Sequence, residues 1–370
     1  MDFKKKMKRM ISIKERIDFR IDTLSDYERM CIEFLKFYKK DLDFMWEDEW
    51  FKRNFNKIKR FSHSDEPVLL IGETGTGKEI ISRFIHFLSK RKKNTFYPIN
   101  CSALSDELLQ SELFGHERGA YTSADRKREG RLKSSDGGTV FLDEIQTSSH
   151  KFQQALLRFL DYKEIQPLGS DKIERTNVRI ITACCKSPEK LLKEGKLLEP
   201  FYYRISFLRL YIPPLRERKD IKKYIYYFLL KECHTLGKEE KEISYHALEA
   251  LKNYPWPGNL RELKGVIHNL VLDIQDKIIK LEALPEEIKN PERWISKQQK
   301  LSQSIQDEGA SSKLFSHAKE KTYDLTLDNA IKTHIQKVLE LTEGNKTKAS
   351  KLLGIPLTTL ISKMKKLGMD

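Results

Sequence analysis

The stretch "PVLLIGETGTGKEIISRF", residues 67–84, decides the fold. Val68 to Ile71 form an apolar run of strand length, and Lys78 opens a segment of helical apolar spacing. Between them lie Gly72, Glu73, Thr74, Gly75, Thr76 and Gly77. Glycines there let backbone N–H groups wrap an anion, the helix start adds the positive end of its dipole, and Lys78 reaches the outer phosphates. A strand, this loop and a helix in that order predict a site for ATP. Glu79 stands where the motif commonly has a Ser or Thr that ligates Mg2+, so the metal must depend on another acid.

That acid is available in "GGTVFLDEI", residues 137–145. Gly137 and Gly138 turn the chain into a buried strand whose end presents Asp143 and Glu144. Asp143 suits Mg2+, held through water, and Glu144 suits the general base that orients an attacking water. A plain surface acidic pair is the alternative. Asn100, which closes the apolar run "FYPIN", is in position to hydrogen-bond Glu144 and hold it inactive, or else to cap a turn.

The same alternation extends on both sides of the loop. "FYPIN", "GTVFLDEI" and "VRIITA" read as strands separated by helices such as "DELLQSELF", and this pattern predicts a parallel sheet covered on both faces. From Asp220 to Lys289 helical periodicity takes over, as in "DIKKYIYYFLLKE" and "LRELKGVIHNLVLDI", and reads as a helical lid. The expected organisation is a short basic helical segment over 1–43, an α/β subdomain over 44–219, the lid over 220–290, a polar linker over 291–323 and a small all-α domain over 324–370.

Composition limits the function classes. The 370 residues include 69 Lys+Arg against 54 Asp+Glu, a surplus of +15 that favours a polyanionic partner or reflects a lysine-rich proteome. Five cysteines show neither a paired framework nor zinc spacing, so a reducing compartment is expected. No run of about 18 apolar residues is present, which leaves no predicted membrane span and points to the cytoplasm. "GHERGAYTSA", residues 115–124, carries Tyr121 between two basic clusters; by itself it reads as a surface hairpin.

Taken in order, "GETGTGKE", "ELFGHERGAYTSA", "GGTVFLDEI", "IPPLRERKDI" and "YPWPGNLREL" resemble the bacterial enhancer-binding proteins, AAA+ ATPases that activate the sigma-54 form of RNA polymerase. The resemblance spans roughly residues 45–290 and includes the glutamate after the loop lysine. It implies an AAA+ P-loop ATPase core with a helical lid, assembled as a ring, usually a hexamer, with ATP between subunits. Arg261 would then sense the γ-phosphate from the lid, and Arg204 in "YYRISF" would be an arginine finger for the neighbouring subunit; a structural salt bridge is the other reading of each. The axial loop of the family usually reads GAFTGA, so Gly119, Ala120, Tyr121, Thr122, Ser123 and Ala124 would touch the sigma factor. Tyr121 keeps the aromatic ring, Thr122 is retained and Ser123 replaces a glycine.

Three further positions depart from the family pattern. Cys184 and Cys185 follow Ala183 where the family usually has Thr-Asn, so the polar sensor is lost, and Leu198 stands where a second finger arginine would fall.

The last segment, "LTLDNAIKTHIQKVLELTEGNKTKASKLLGIPLTTLISKMKKLG", divides at Gly344 and Gly354 into three helices with Ala349, Leu352, Leu353, Leu360 and Met364 inside. It resembles the Fis-type helix-turn-helix domain of the same family. Its recognition helix, expected from Pro356 to Leu367, offers Thr358, Thr359, Ser362, Lys363 and Lys366 to double-stranded DNA. A plain three-helix packing module is the alternative.

The expectation is an ATP-driven transcription activator that binds upstream DNA, builds a ring from dimers and remodels sigma-54 polymerase. The sequence shows no receiver or ligand-sensing domain, so control is expected from the short amino-terminal segment, a partner or expression level. A DNA-binding regulator that keeps the ATPase fold for assembly, with weak hydrolysis and no sigma-54 activation, is the second reading.

Overall fold

Five parallel strands form the central sheet: Val68–Ile71 (β1), Phe96–Asn100 (β2), Thr139–Asp143 (β3), Arg179–Cys184 (β4) and Leu208–Tyr211 (β5), in spatial order β2-β3-β4-β1-β5. The computed structural model describes residues 25–38, 48–120, 126–290, 334, 335, 338, 339, 342, 345–366 and 369. Register explains the apolar runs: Leu70 pairs with Ala183 and Leu142 with Thr182, so successive residues feed opposite faces of the sheet. Val68, Leu70, Phe141, Ile181 and Leu210 belong to one core, whereas Leu69, Val140, Leu142 and Ile180 belong to another. A sheet covered on both faces needs apolar residues at every position, which is why these strands do not alternate with polar residues. β5 escaped the sequence reading because its Leu-Arg-Leu-Tyr pattern is that of an edge strand, with Arg209 and Tyr211 exposed.

Asp26–Tyr38 (α1), Glu49–Ser62 (α2) and Lys78–Leu88 (α3) cover the first face; Asp106–Phe114 (α4), His150–Tyr162 (α5) and Glu199–Ile205 (α6) cover the second. α1 falls within the basic helical segment expected over 1–43; Ile11, Ile13, Ile17, Phe19 and Ile21, the apolar positions expected to mark that segment, lie outside the described residues, whereas the aromatic residues of α1 were not singled out. Ile221–Thr235 (α7), Tyr245–Asn253 (α8) and Asn259–Asp273 (α9) build the lid. The lid also contains a parallel pair, Glu242–Ile243 with Ile278–Ile279, too short to show against the helical pattern.

The described residues from 334 onward form a separate unit. Lys346–Leu352 (α10) and Leu357–Lys366 (α11) enclose Ile335, Val338, Ala349, Leu360 and Met364. Leu352 is 69% exposed and does not join this core; Leu353 and Ile355 pack against it instead, because the turn at Gly354 (φ +64°) brings Ile355 back beneath α10. Among the described residues no helix is long and apolar enough to cross a membrane.

Candidate nucleotide site

The loop 72–77 leaves the end of β1, between β4 and the edge strand β5, where Gly72 N–H donates to Cys184 O at 3.1 Å. A Cβ on Gly75 would stand 2.2 Å from Gly258 O in the lid, and its φ of +80° also favours glycine. Thr76 Oγ1 donates to Glu73 O at 2.7 Å and folds the loop on itself. Lys78 begins α3 and is buried, its ammonium donating to Gly72 O at 2.9 Å and Glu73 O at 3.1 Å. The loop thus carries a cation beneath backbone donors at a helix start, which is the chemistry of a phosphate cradle. Glu79 lies partly in solvent, paired one turn on with Arg83 at 2.6 Å.

The acidic residues arrive from β3. Asp143 is half-buried, and desolvation raises its carboxyl above the usual range although Lys78 and the Glu144 N–H oppose that shift. Glu144 adopts a left-handed conformation (φ 54°), and its N–H donates to Asp143 Oδ1 at 2.9 Å. This turn lets the strand end offer two carboxylates side by side. Asn100 pairs in register with Asp143, but its Oδ1 accepts from Ser102 N–H at 2.9 Å and Ser102 Oγ at 2.8 Å. The turn-cap geometry is therefore the one present. Asn100 Oδ1 thus serves the local turn, as short polar side chains do at such positions.

Burial, with the charges of Asp143 and Glu144 adding to it, pushes the Cys101 thiol up to about 12, and burial pushes Cys184 to about 12 as well. Both stay protonated in this setting. Cys185 Sγ instead accepts from Gln146 Nε2 at 3.2 Å, leaving Gln146 Oε1 buried without a partner.

The lid closes on the loop through residues that sequence reading passed over. Leu260 N–H donates to Gly75 O at 3.0 Å, and buried Asn259 (φ 55°) donates from Nδ2 to Thr74 O at 3.0 Å and Glu73 Oε2 at 3.2 Å. Asn259 Oδ1 accepts from Leu215 N–H at 2.7 Å. Arg261, exposed on the first turn of α9, has its Cβ 3.2 Å from where a Gly75 Cβ would stand. Arg216 forks onto Glu73 at 2.8 and 2.5 Å, and that hydrogen bonding holds the Glu73 carboxyl below its usual range. Arg218 donates to Thr76 O at 2.9 Å, Tyr224 Oη at 2.8 Å and Asp48 Oδ2 at 3.3 Å, and Tyr224 donates to Asp48 as well. Beside this network Trp50, Phe51, Ile80, Ile212 and Leu260 line an apolar slot next to Gly77, a wall suited to a planar base.

Arg204 lies elsewhere. Its Nη2 donates to Leu160 O at 3.0 Å, and its Nε is 2.9 Å from Asp161 Oδ1, an ion pair by distance without hydrogen-bond alignment. Leu198, the N-cap of α6, donates its N–H to Gln153 Oε1 at 2.9 Å.

The loop 115–124 is rooted in an antiparallel pair, Gly115–His116 with Arg128–Glu129. His116 accepts or donates to Ser111 Oγ at 2.7 Å and donates to Arg126 O at 2.8 Å, which fixes the root. Gly119 and Ala120 are described, and Ala120 meets Gly169 of a neighbouring hairpin. Tyr121, Thr122, Ser123 and Ala124 lie outside the described residues. On α11, Thr358, Thr359, Ser362 and Lys363 are exposed; Lys366 belongs to the helix.

Three family descriptions match consecutive parts of the chain: "Sigma-54 interaction domain" over residues 44–211, "AAA+ ATPase lid domain" over 216–301 and "Bacterial regulatory protein, Fis family" over 332–367. The DNA-binding transcriptional regulator NtrC of Azospirillum brasilense is 33% identical over 328 residues, covering 85% of this chain and 67% of NtrC. The transcriptional regulatory protein ZraR of Klebsiella oxytoca is 36% identical over 310 residues, covering 84% of this chain and 65% of ZraR. Its coverage of the Klebsiella pneumoniae Nif-specific regulatory protein is 40%, so the chain spans from under half to about two thirds of such relatives. The crystal structure of NtrX from Brucella abortus in complex with ATP superposes with a TM-score of 0.62 at 22% identity, covering 95% of this chain and 77% of NtrX, a likeness of fold.

Proposed function

Because the chain belongs to the sigma-54-dependent transcriptional regulators, with an AAA+ ATPase domain, its lid and a Fis-type helix-turn-helix, we propose that it is an ATP-driven transcription activator. It binds ATP with Mg2+ at residues 72–79, assembles into a ring, usually a hexamer in this family, and remodels sigma-54 RNA polymerase from DNA sites upstream. One observation carries this reading: the ends of β1 and β3 and the start of α9 bring Lys78, Asp143 and Glu144 to the loop that the lid backbone grips at Gly75.

The residues divide the work by their chemistry. The 72–77 backbone and Lys78 take the phosphates, exchanging the carbonyls of Gly72 and Glu73 for phosphate oxygens. The raised carboxyl of Asp143 marks a charge kept from water that the Lys78 ammonium offsets only in part, and Mg2+ would supply further counter-charge while drawing the phosphates together. Glu144 orients the attacking water, and Asn100 sets the strand end beside it. Arg261 faces the phosphates from the lid. α5 begins at His150, six residues past Glu144, and Leu160, where Arg204 is anchored, lies ten residues further on, about 15 Å along the helix. That separation supports service to a neighbouring copy's ATP.

Gly119 to Ala124 would meet the sigma factor, and the exposed side chains of α11 with Lys366 would meet double-stranded DNA as a dimer or larger assembly, since one short helix contacts too little groove. The limits near residues 43, 219, 290 and 323 remain our division of the chain. Cys185 and Leu198, lacking the polar sensor and second finger, support a second reading in which hydrolysis is weak and the fold serves assembly on DNA.

Open-complex formation by the purified protein with sigma-54 polymerase separates the two. Wild type should open promoters only with ATP, and Thr122→Ala should keep hydrolysis and DNA binding yet lose opening. ATP-independent opening, or normal opening by Thr122→Ala, would overturn the activator reading.

A further inference from the structure

α1 lies ahead of all three matched segments, yet its aromatic side chains are built into the wall behind the nucleotide site. Phe34 is fully buried, its ring 5.0 Å from Phe84 and 5.5 Å from Phe87 on α3, the helix that Lys78 begins. Tyr27 stands 5.9 Å from Phe51, and Phe51 in turn is 5.0 Å from Phe84 while lining the apolar slot with Trp50. At the other end of α1, Tyr38 Oη donates to Arg83 O at 3.4 Å and its ring lies 5.6 Å from the Arg83 guanidinium. Arg83 is the partner of Glu79, the residue that follows Lys78.

Three contacts therefore run from one helix to the base wall, to the body of the phosphate-binding helix and to the acid beside the loop lysine. Packed aromatic interiors do not deform smoothly, so an empty place at Phe34 would shift α3 or Phe51 in a discrete step.

We propose that Tyr27, Phe34 and Tyr38 are positioning residues for the nucleotide: docked α1 holds Phe51 and α3 in the arrangement that accepts ATP, and release of α1 weakens binding. The proposal rests on the nucleotide reading above. It gives whatever acts on the segment before residue 26 a mechanical route to the site.

Coupling of this kind is reciprocal, so a nucleotide favoured by docked α1 must itself hold α1 down by the same factor. Cys31 on α1 is fully buried and reports that docking without any substitution. Alkylation of each thiol in the wild-type protein is followed peptide by peptide, with and without a saturating non-hydrolysable ATP analogue and Mg2+. Cys233, buried in α7, records general stabilisation by ligand. Cys31 should slow by about fivefold or more beyond any slowing of Cys233. Equal slowing of both thiols, or none at Cys31 while the analogue is bound, overturns the proposal.

Tyr27→Ala should weaken analogue binding several-fold while Tyr27→Phe retains it, because the ring supplies the contact with Phe51. Unchanged affinity in a folded Tyr27→Ala protein also counts against the lever. A wild-type protein that binds no nucleotide is a different result, since it removes the nucleotide reading itself and this inference with it.

Discussion

Arg218 and Arg204 are set in opposite ways. Arg218 is buried, and its guanidinium donates to Pro213 O, Thr76 O, Tyr224 and Asp48 within its own fold. Arg204, on α6, reaches the end of α5 with its side chain 36% exposed, holding one carbonyl and one poorly aligned carboxylate. A guanidinium has five N–H donors in a fixed fork and leaves few unused when its role is structural. The saturated arginine braces the loop, whereas the half-occupied one has guanidinium donors left over.

The comparison breaks most readily at Arg204. Arg204→Ala should lower ATP turnover by about a thousandfold or more, the range of a lost arginine finger, with folding and nucleotide binding nearly unchanged. Mixing these subunits with Glu144→Ala subunits should recover part of the turnover, because some mixed interfaces join an intact finger to an intact base. Turnover measured across mixing ratios checks this, and a flat line in assembled rings would place Arg204 in a structural role like that of Arg218.

Arg218→Ala should do the reverse and act first on stability. Removing it leaves Asp48 buried with a carboxylate that, among the described residues, the Phe51 N–H and Tyr224 still address. Breaking one side of a buried pair costs about 3 to 5 kcal/mol, and the remaining bonds to Asp48 favour the lower figure. Urea unfolding without nucleotide measures the loss. A loss below about 1 kcal/mol, the worth of an exposed pair, would erase the distinction between the two arginines.

How much of this was legible in the sequence follows from the distance over which each feature is encoded. The phosphate loop and the acids ending β3 are local patterns, and the first lies between a strand and a helix and the second at a strand end. The brace was hidden because Asp48 and Arg218 are 170 residues apart and no motif links them. Asn259 was passed over for a related reason: the motif drew attention to Arg261, two residues on, while the buried amide does the joining. Asn100 shows the reverse case, since the cap on Ser102 lies only two residues away, and that cap is the bond its oxygen makes. Leu352 failed on helix phase, where one turn decides between core and solvent.

The smallest effect concerns the charge that neither arginine neutralises. Desolvation raises the Asp143 carboxyl in the folded protein, so folding favours its protonated form. The sign follows from linkage: that preference stabilises the fold below the ordinary carboxylate range and is lost as pH rises through the raised value. At neutral pH the nucleotide-free protein therefore carries an ionised carboxylate that it would be more stable without. Asp143→Asn removes the charge while keeping the shape, and should raise the melting temperature slightly at pH 7, with the gain vanishing below about pH 4. Adding ATP and Mg2+ should invert the order, because wild type then gains a cation for its carboxylate and the amide variant gains less. Melting curves at two pH values, with and without Mg2+ and ATP, test both signs together. A variant less stable than wild type without ligand at pH 7 would mean that Asp143 is already compensated by the fold, and its role beside Lys78 would then be structural, like that of Arg218.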